Sequence, residues 1–312
     1  MPSLSKRIKQ KALEIGLSKC GIVRAEALSD EGEKLSAWLG RRYHGEMAWL
    51  AREPEKRSDP RLLFPDAKSI IVVALNYYTD HKHDDDSHSG KISRYAWGDD
   101  YHDVLHEKLN ELFDWIKSEN AEVEGKISVD TAPFMDKAWA VRAGLGWLGK
   151  HSNLITKELG SWVFIGSIIL NIELDYDTET IEDHCGTCTA CLDACPTNAI
   201  VEPYVVDSRK CISYATIELR DEKLPDEITA NLEGWLYGCD ICQEVCPWNR
   251  FETQTNESRF EPRLGETSLD LDAIQTMSHD EYVTRFRRSA IKRTKLTGLK
   301  RNASALKTHI DS

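Results

Sequence analysis

Eight of the nine cysteines in this chain fall between Cys185 and Cys246, and their spacing is that of metal ligands. The first group reads Cys185-x2-Cys188-x2-Cys191-x3-Cys195-Pro196. The second reads Cys239-x2-Cys242-x3-Cys246-Pro247, with Cys211 standing 28 positions before Cys239. The fragments CTACLDACP (188–196) and CDICQEVCP (239–247) align as an internal repeat. In a long chain without an export signal such spacing means ligation rather than disulfides. Tetrahedral thiolate sets hold either zinc or iron–sulfur clusters. The x2-x2-x3-Pro run is the bacterial ferredoxin pattern, in which the fourth cysteine serves the other cluster. It predicts two 4Fe–4S clusters with crossed ligation. Cluster 1 takes Cys185, Cys188, Cys191 and Cys246; cluster 2 takes Cys195, Cys211, Cys239 and Cys242. Cys20 is left over in the apolar stretch KCGIV and is expected in a buried strand. Paired cubes form a short relay and suit electron transfer.

The residues before Cys185 must hold whatever those electrons reach. Residues 4–15 read as a helix stopped by Gly16, and 19–23 as a short strand. The apolar run SIIVVALNY (69–77) predicts a buried strand. Apolar residues recur with helical period from Tyr101 to Lys117. Lys126–Asp130 reads as a strand, Pro133–Ala143 as a helix starting near its proline, and Ser161–Leu174 as a long strand or strand pair. Strands alternating with helices predict a layered α/β body followed by a ferredoxin-like two-cluster module. The loop HKHDDDSHSG (81–90) is expected to be mobile, its three His and three Asp solvated rather than ligating. Gly144-Leu-Gly146-Trp-Leu-Gly149 matches G-x-G-x-x-G, but a helical segment precedes it where the nucleotide fingerprint needs a strand. Gly144 therefore reads as a helix stop. The glycine-rich turn, followed by Lys150, His151, Ser152 and Asn153, could bring backbone close to a large flat cofactor.

The 312 residues carry 40 basic and 52 acidic side chains, a net charge of −12, with 41% hydrophobic and 29% charged residues. That composition excludes a disordered acidic chain and a membrane protein. The longest apolar run, Trp162 to Leu170, is far short of the ~20 residues of a spanning helix, and the N-terminus reads as an amphipathic helix rather than a signal peptide. A cytoplasmic protein is expected. Overall acidity speaks against a polyanionic partner, but the charge is uneven. Nine basic residues and Asp311 give residues 282–312 a charge of +8, against −20 for the 31 basic and 51 acidic residues before them. A basic segment on an acidic body is the footprint of a phosphate-bearing partner; the plainer alternative is a solvated tail.

Taken in order, EKRSDPRLLFPDAKSIIVVAL (55–75), RYAWGDDYHDVLHEKL (94–109), VDTAPFMDKAWAVRAGLGWLGK (129–150), the cysteine block with CISYATIE (211–218) and LYGCDICQEVCPWN (236–249) resemble the epoxyqueuosine reductase family. Corrinoid reductive dehalogenases look like more distant relatives. The resemblance implies a nitroreductase/reductive-dehalogenase-like body that binds cobalamin and substrate (1–178), a ferredoxin-like domain (179–255), and a basic C-terminal segment in contact with tRNA (256–312). The chain looks like a short form without the helical repeats that many members carry. The implied reaction removes an epoxide oxygen as water from a modified wobble base of tRNA, using two electrons and two protons. Cobalamin does the difficult electron chemistry, while the protein supplies position, protons and exclusion of water. A low-potential electron donor and a monomeric enzyme are expected.

The same resemblance implies site residues. Asp130 matches the family's proton donor, a role that calls for burial to raise its pKa; by itself a strand-end Asp reads as a turn or cap. Asp100, Tyr101 and His102 are further candidates beside the substrate. The pattern D-x-H-x-x-G, which supplies a cobalt-ligating His, is absent: Asp100-Tyr-His102 has Leu105 in place of the glycine. A corrinoid ligated by a His of that type is therefore not expected; the resemblance implies cobalamin held base-off, near Arg57, Ser93, Asp130, Lys150, Ile165, Ser213, Cys239 and Asp240. Arg287, Arg288, Lys292, Arg293, Lys295 and Arg301 are expected to track the RNA backbone. Two rival classes stay open on the residues alone: a ferredoxin-type carrier without a substrate site, and a zinc-stabilised nucleic-acid-binding protein.

Overall fold

The apolar run after Lys68 becomes the centre of the body because it is buried on both sides. In the computed structural model, which describes residues 2–84 and 86–310, all eight residues of Ser69–Asn76 are buried. Asp85 of the polar loop and Asp311 of the basic segment lie outside the described residues. The strands that matter for the site are β1 (Lys19–Arg24), β2 (Ser69–Asn76), β3 (Ser89–Ile92), β4 (Gly125–Ser128), β5 (Val163–Leu170), β6 (Trp235–Tyr237) and β7 (Ser268–Asp270). The helices are α1 (Leu4–Glu14), α2 (Tyr101–Glu119), α3 (Asp136–Arg142), α4 (Ile212–Ile217), α5 (His279–Arg285) and α6 (Lys295–Ile310).

One sheet has the order β1-β2-β5-β4, every pair antiparallel. Strand alternation sends Ile71, Val73 and Leu75 to one face, where α1 and α2 cover them with Ile8, Ala12, Leu105, Leu109 and Leu112. Ile70, Val72 and Ala74 face the other way, against Phe134, Trp139 and Ala140 of α3 and its approach. The expected strand at 161–174 is the single strand β5. The helix expected from Pro133 begins at Asp136, because Pro133 and Phe134 form a turn that buries Phe134 against Trp139, ring centroids 5.9 Å apart. Cys20 lies in β1 and packs on the α1/α2 side of the sheet, where burial pushes its thiol up to about 12.

Gly144, at φ +68°, ends α3 as a left-handed stop. The close approach of that helix end to β1 depends on Gly21, where a Cβ would stand 2.2 Å from the Ala143 carbonyl oxygen. Gly21→Ala is therefore expected to destabilise the chain by about 1–3 kcal/mol, read as a lower denaturant midpoint at unchanged slope.

A second sheet has the order β6-β3-β7, parallel on one side of β3 and antiparallel on the other. It takes one strand from each of the segments 1–178, 179–255 and 256–312. His81, Lys82, Asp84 and residues 86–88 of the loop at 81–90 are exposed, as expected, but the end of the loop enters this sheet and His83 is half-buried. Ser89 and Gly90 start the central strand, and His83 packs edge-on against Trp97 and Trp235, at 5.4 and 5.1 Å, with a ring nitrogen 2.9 Å from the Ile92 carbonyl. The basic C-terminal segment is no solvated tail. A capping box at Ser278 and Glu281 starts α5, and Tyr282, Phe286, Leu299 and Ala303 join the core around Trp235 and Leu236.

Candidate active site and cluster region

Cys185, Cys188, Cys191 and Cys246 line one cavity of about 120 Å³, together with Lys150, His151, His184 and Trp248. Burial and the neighbouring thiols of Cys185 and Cys246 push Cys191 up to about 11. Burial raises Cys242 as well, with Cys211 and Cys195 beside it, and Cys239 is raised next to Cys211 and Cys242. Cys246 thus joins the first group in space, and Cys195 lies within electrostatic reach of Cys211 and Cys242. Crowded thiols of this kind become thiolates when a metal centre compensates their charge, so the two sets fit two four-thiolate clusters.

The glycine-rich turn at 144–149 places its following residues against this cavity. Lys150 donates from Nζ to the carbonyls of Gly186 (2.6 Å) and Cys188 (2.8 Å), so it clamps the cluster loop rather than presenting a free ammonium to another cofactor. His151 is buried, which pushes it down to about 4 and leaves it neutral.

A second constellation forms where α2 begins. Asp100 caps the helix, accepting from the His102 backbone N–H at 3.1 Å and from ring Nδ1 at 2.7 Å. Nε2 of the same ring lies 3.3 Å from Oδ2 of Asp130. Tyr101 stacks on His102 (4.1 Å) and on Phe164 (4.4 Å), and its hydroxyl donates to Asp130. Asp130 follows β4 at φ +53°, which ends that strand early and turns the carboxylate out of the sheet, 63% exposed.

Burial would lower the pKa of His102, but the two carboxylates outweigh it and raise it to about 9. Partial desolvation by the groups around it pulls Asp130 up, yet the hydrogen bond and charge of His102 and the Tyr101 hydrogen bond hold it below the ordinary carboxylate range. Within this pair the carboxylates favour the protonated imidazole, whereas the raised pKa expected of Asp130 is tied to burial against the corrin. Lys137 is within electrostatic reach of both Asp130 and Cys242, which links the constellation to the second group of cysteines.

The other predicted cofactor contacts divide. Arg57 is buried, with an unpartnered Nε among the described residues, its guanidinium over Trp49 and within electrostatic reach of Asp136 and Asp130. Oδ1 of Asp136 is also buried and unpartnered among the described residues, and burial together with Asp130 pushes that carboxyl up to about 7. Such orphaned groups fit the amide-rich periphery of a corrin. Ser93 and Asp240 are bonded to each other (Oγ to Oδ1, 2.6 Å), with Arg94 N–H on Oδ2 at 2.7 Å, so they shape a wall instead of offering free polar atoms. Ile165 lies mid-strand in β5, and Ser213 is in the first turn of α4, its backbone N–H on the Cys211 thiol.

The basic strip docks on the same corner. Asp100 N–H donates to the Arg288 carbonyl at 2.9 Å, and Arg263 donates to the carbonyls of Arg287 and Arg288. Arg287, Arg288, Lys292, Arg293 and Lys295 are exposed, with Arg288 paired to Asp103 and Arg293 to Glu218. Arg301 corrects the expectation of a phosphate contact. Its guanidinium is turned inward onto the carbonyls of Ala215, Leu219 and Asp221, where it holds α6 against α4.

The profile described as "Epoxyqueuosine reductase QueG, DUF1730" matches residues 57–131, and that of a 4Fe-4S double cluster binding domain matches 184–249. The epoxyqueuosine reductase of Cellulophaga algicola is 49% identical over 96% of this chain and 97% of its own, and that of Synechocystis is 49% identical over 90% and 97%. The chain belongs to the epoxyqueuosine reductase family. A crystal structure of an epoxyqueuosine reductase with an epoxyqueuosine-modified tRNA-Tyr stem loop matches at 35% identity and a TM-score of 0.91, over 98% of this chain and 81% of that one. The Streptococcus thermophilus epoxyqueuosine reductase matches at 30% and 0.89, over 99% and 82%.

Within the epoxyqueuosine reductase profile fall Arg57, Ser93, Asp100, Tyr101, His102 and Asp130, while the double-cluster profile takes in all eight clustered cysteines. Asp136, Trp147 and His151 lie between the two, and reading the residues alone did not single out the first two. Asp136 stands at the first turn of α3, where an acidic residue looks like a helix-dipole partner. Tyr95 and Tyr237 were missed as well. Their hydroxyls bond at 2.9 Å, and Tyr237 donates on to the Ala290 carbonyl at 2.6 Å, linking the Tyr101 stack to the C-terminal segment.

Proposed function

We propose that this chain reduces epoxyqueuosine to queuosine at the wobble position of tRNA. Two electrons and two protons remove the epoxide oxygen as water and leave a cyclopentene. The observation that carries the reading is the docking of the basic strip on the acid–imidazole constellation through the Asp100–Arg288 hydrogen bond. It sets phosphate-binding charge and a proton-carrying group side by side, next to cluster 2. Cobalamin, when bound, supplies the electron chemistry that cleaves the carbon–oxygen bond. Arg57 and Asp136 would hold its periphery, with Ile165, Ser213 and the Ser93–Asp240 pair forming walls.

Asp130 stands nearest the reacting oxygen. His102 holds a proton at Nε2, and closure over the substrate excludes water and raises the affinity of the Asp130 carboxylate for that proton. The proton crosses the 3.3 Å from Nε2 to Oδ2 and is delivered as the oxygen leaves. The exposed left-handed turn suits a carboxylate that moves; a structure of the Bacillus subtilis enzyme is described with its catalytic aspartate loop swung out of the active site.

We place the cobalamin- and substrate-binding body in residues 1–178, the cluster module in 179–255 and the tRNA contact in 256–312. A low-potential donor delivers electrons at cluster 1, where Cys188 is exposed. The enzyme works as a monomer in the cytoplasm; among the described residues no helix is long and apolar enough to cross a membrane.

Anaerobic incubation of the cluster-loaded chain with cobalamin, a low-potential reductant and epoxyqueuosine-containing tRNA tests the reading. Queuosine is the expected nucleoside by mass spectrometry, and no conversion by fully loaded protein overturns it. Replacing Arg287, Lys292 and Lys295 together by Gln is expected to weaken stem-loop binding at least tenfold. It should also flatten the log affinity–log salt slope by about 2. Arg301→Gln is expected to lower stability and leave that slope unchanged.

A further inference from the structure

We propose that the imidazole of His151 donates a hydrogen bond from Nε2 to a sulfur of cluster 1, with the indole N–H of Trp147 serving the Cys185 thiolate. Together these ring donors set the potential at which electrons enter. The inference rests on the reading that cluster 1 assembles at Cys185, Cys188, Cys191 and Cys246, and it goes beyond that reading by assigning its hydrogen-bond partners.

The tautomer of His151 follows from its neighbour. The backbone N–H of Asn153 donates to Nδ1 at 3.2 Å, so Nδ1 is an acceptor and the ring hydrogen sits on Nε2. That Nε2 is buried and has no partner among the described residues, in a side chain only 5% exposed. The ring lines the cavity that the four cysteines surround. A buried donor left without an acceptor is rare enough in native proteins to call for an explanation, and an acceptor occupying the cavity supplies one. The thiolates and sulfides of a cluster are such acceptors.

Trp147 repeats the pattern. It is 2% exposed, its Nε1 has no oxygen or nitrogen acceptor among the described residues, and it lies against the Cys185 thiol. Lys150 adds its own backbone N–H to that thiol, while its ammonium fixes the loop through Gly186 and Cys188. The run Trp147–His151 is therefore a cradle of donors for one cluster. At cluster 2 the Cys195, Cys211 and Cys239 thiols receive backbone N–H groups of Ala199, Tyr214 and Ser213, and Ile241.

Hydrogen bonds to cluster sulfurs draw charge away from the iron and stabilise the reduced form, which carries one more negative charge. Removing one is expected to make reduction harder. In an EPR-monitored redox titration of the chain holding both clusters, His151→Leu should weaken the reduction equilibrium of cluster 1 about tenfold. For one electron that is a shift of about 59 mV to more negative potential. His151→Gln, whose amide N–H reaches the same place as Nε2–H, should stay close to the parent, and cluster 2 should not move in either. Trp147→Phe should shift cluster 1 in the same direction as His151→Leu. An unmoved cluster 1 potential in His151→Leu overturns the proposal.

A measurement on the parent protein guards against a variant that does not load. With ¹⁵N-labelled histidine, pulsed EPR of reduced cluster 1 should resolve a nitrogen coupling that His151→Gln abolishes. A cluster 1 signal without that coupling overturns the proposal, as does a coupling that survives the substitution. Iron and sulfide content of the parent report on the cluster reading separately. Absent clusters refute that reading, whereas two intact clusters with no coupling refute the role of His151 alone.

Discussion

Cys246→Ala is expected to abolish turnover and to remove about half of the roughly eight iron atoms that two 4Fe–4S clusters hold. The cluster lost should be the one whose other ligands lie some sixty residues earlier, because Cys246 shares its cavity with Cys185, Cys188 and Cys191 and packs with Cys185 around Trp147. Pairs of substitutions separate crossed from uncrossed ligation. Cys246→Ala combined with Cys185→Ala should cost no more iron than either alone, since both ligands serve cluster 1. Cys246→Ala combined with Cys242→Ala should empty both sites. Uncrossed ligation predicts the reverse for the two pairs. Turnover should vanish in every case, since a broken relay delivers no electrons however intact the substrate site remains.

The crossed ligation expected from the cysteine spacing rests on a local pattern, three thiols within one tight turn and then one that leaves past a proline, and Cys246 does line the cavity of Cys185, Cys188 and Cys191. The buried strand at 69–76 was legible for a similar reason, as an unbroken apolar run needs burial on both faces. Less was visible where geometry depends on backbone. The docking of 287–290 on the start of α2 rests on the Asp100 amide and on the carbonyls of Arg287 and Arg288, and main-chain groups leave no residue-type signature. His83 looked solvated because its neighbours in sequence are charged; the Trp97 and Trp235 rings that half-bury it arrive from elsewhere. Arg301 looked like part of the basic strip because charge is read along the chain, whereas the helix turns that one side chain inward. His151 was noticed only as part of a glycine-rich turn, and its orphaned Nε2 emerges only when Asn153 occupies the other nitrogen.

Asp130→Asn is expected to reduce turnover by about 10²–10⁴-fold, the usual contribution of a positioned proton donor. Iron content, cobalamin binding and stem-loop affinity should stay unchanged. Asn keeps the shape and can still bond to Tyr101 and His102, but its amide has no site for the travelling proton. Full turnover by a variant that retains its cofactors would exclude Asp130 as the donor. The pH profile tests the reservoir behind it. His102 holds its proton up to about pH 9 because Asp100 and Asp130 flank it against the cost of burial. Turnover should therefore be level through neutrality and fall as pH rises through about 9. Removing either carboxylate should move that fall to lower pH, since His102 then has less to offset its desolvation.

The same shift has a signature in stability. His102 rises from 6.5 to about 9 on folding, so its contribution is complete below about pH 6.5 and is lost as pH climbs through 9. Asp100 and Asp130, held below 3.8, contribute above that value and lose their contribution as pH falls. Denaturant midpoints measured across pH in the parent and in His102→Gln should therefore converge toward alkaline pH, where the parent imidazole is also neutral. Activity and stability falling together through pH 9 in the parent, and neither doing so in His102→Gln, would place the proton on this imidazole.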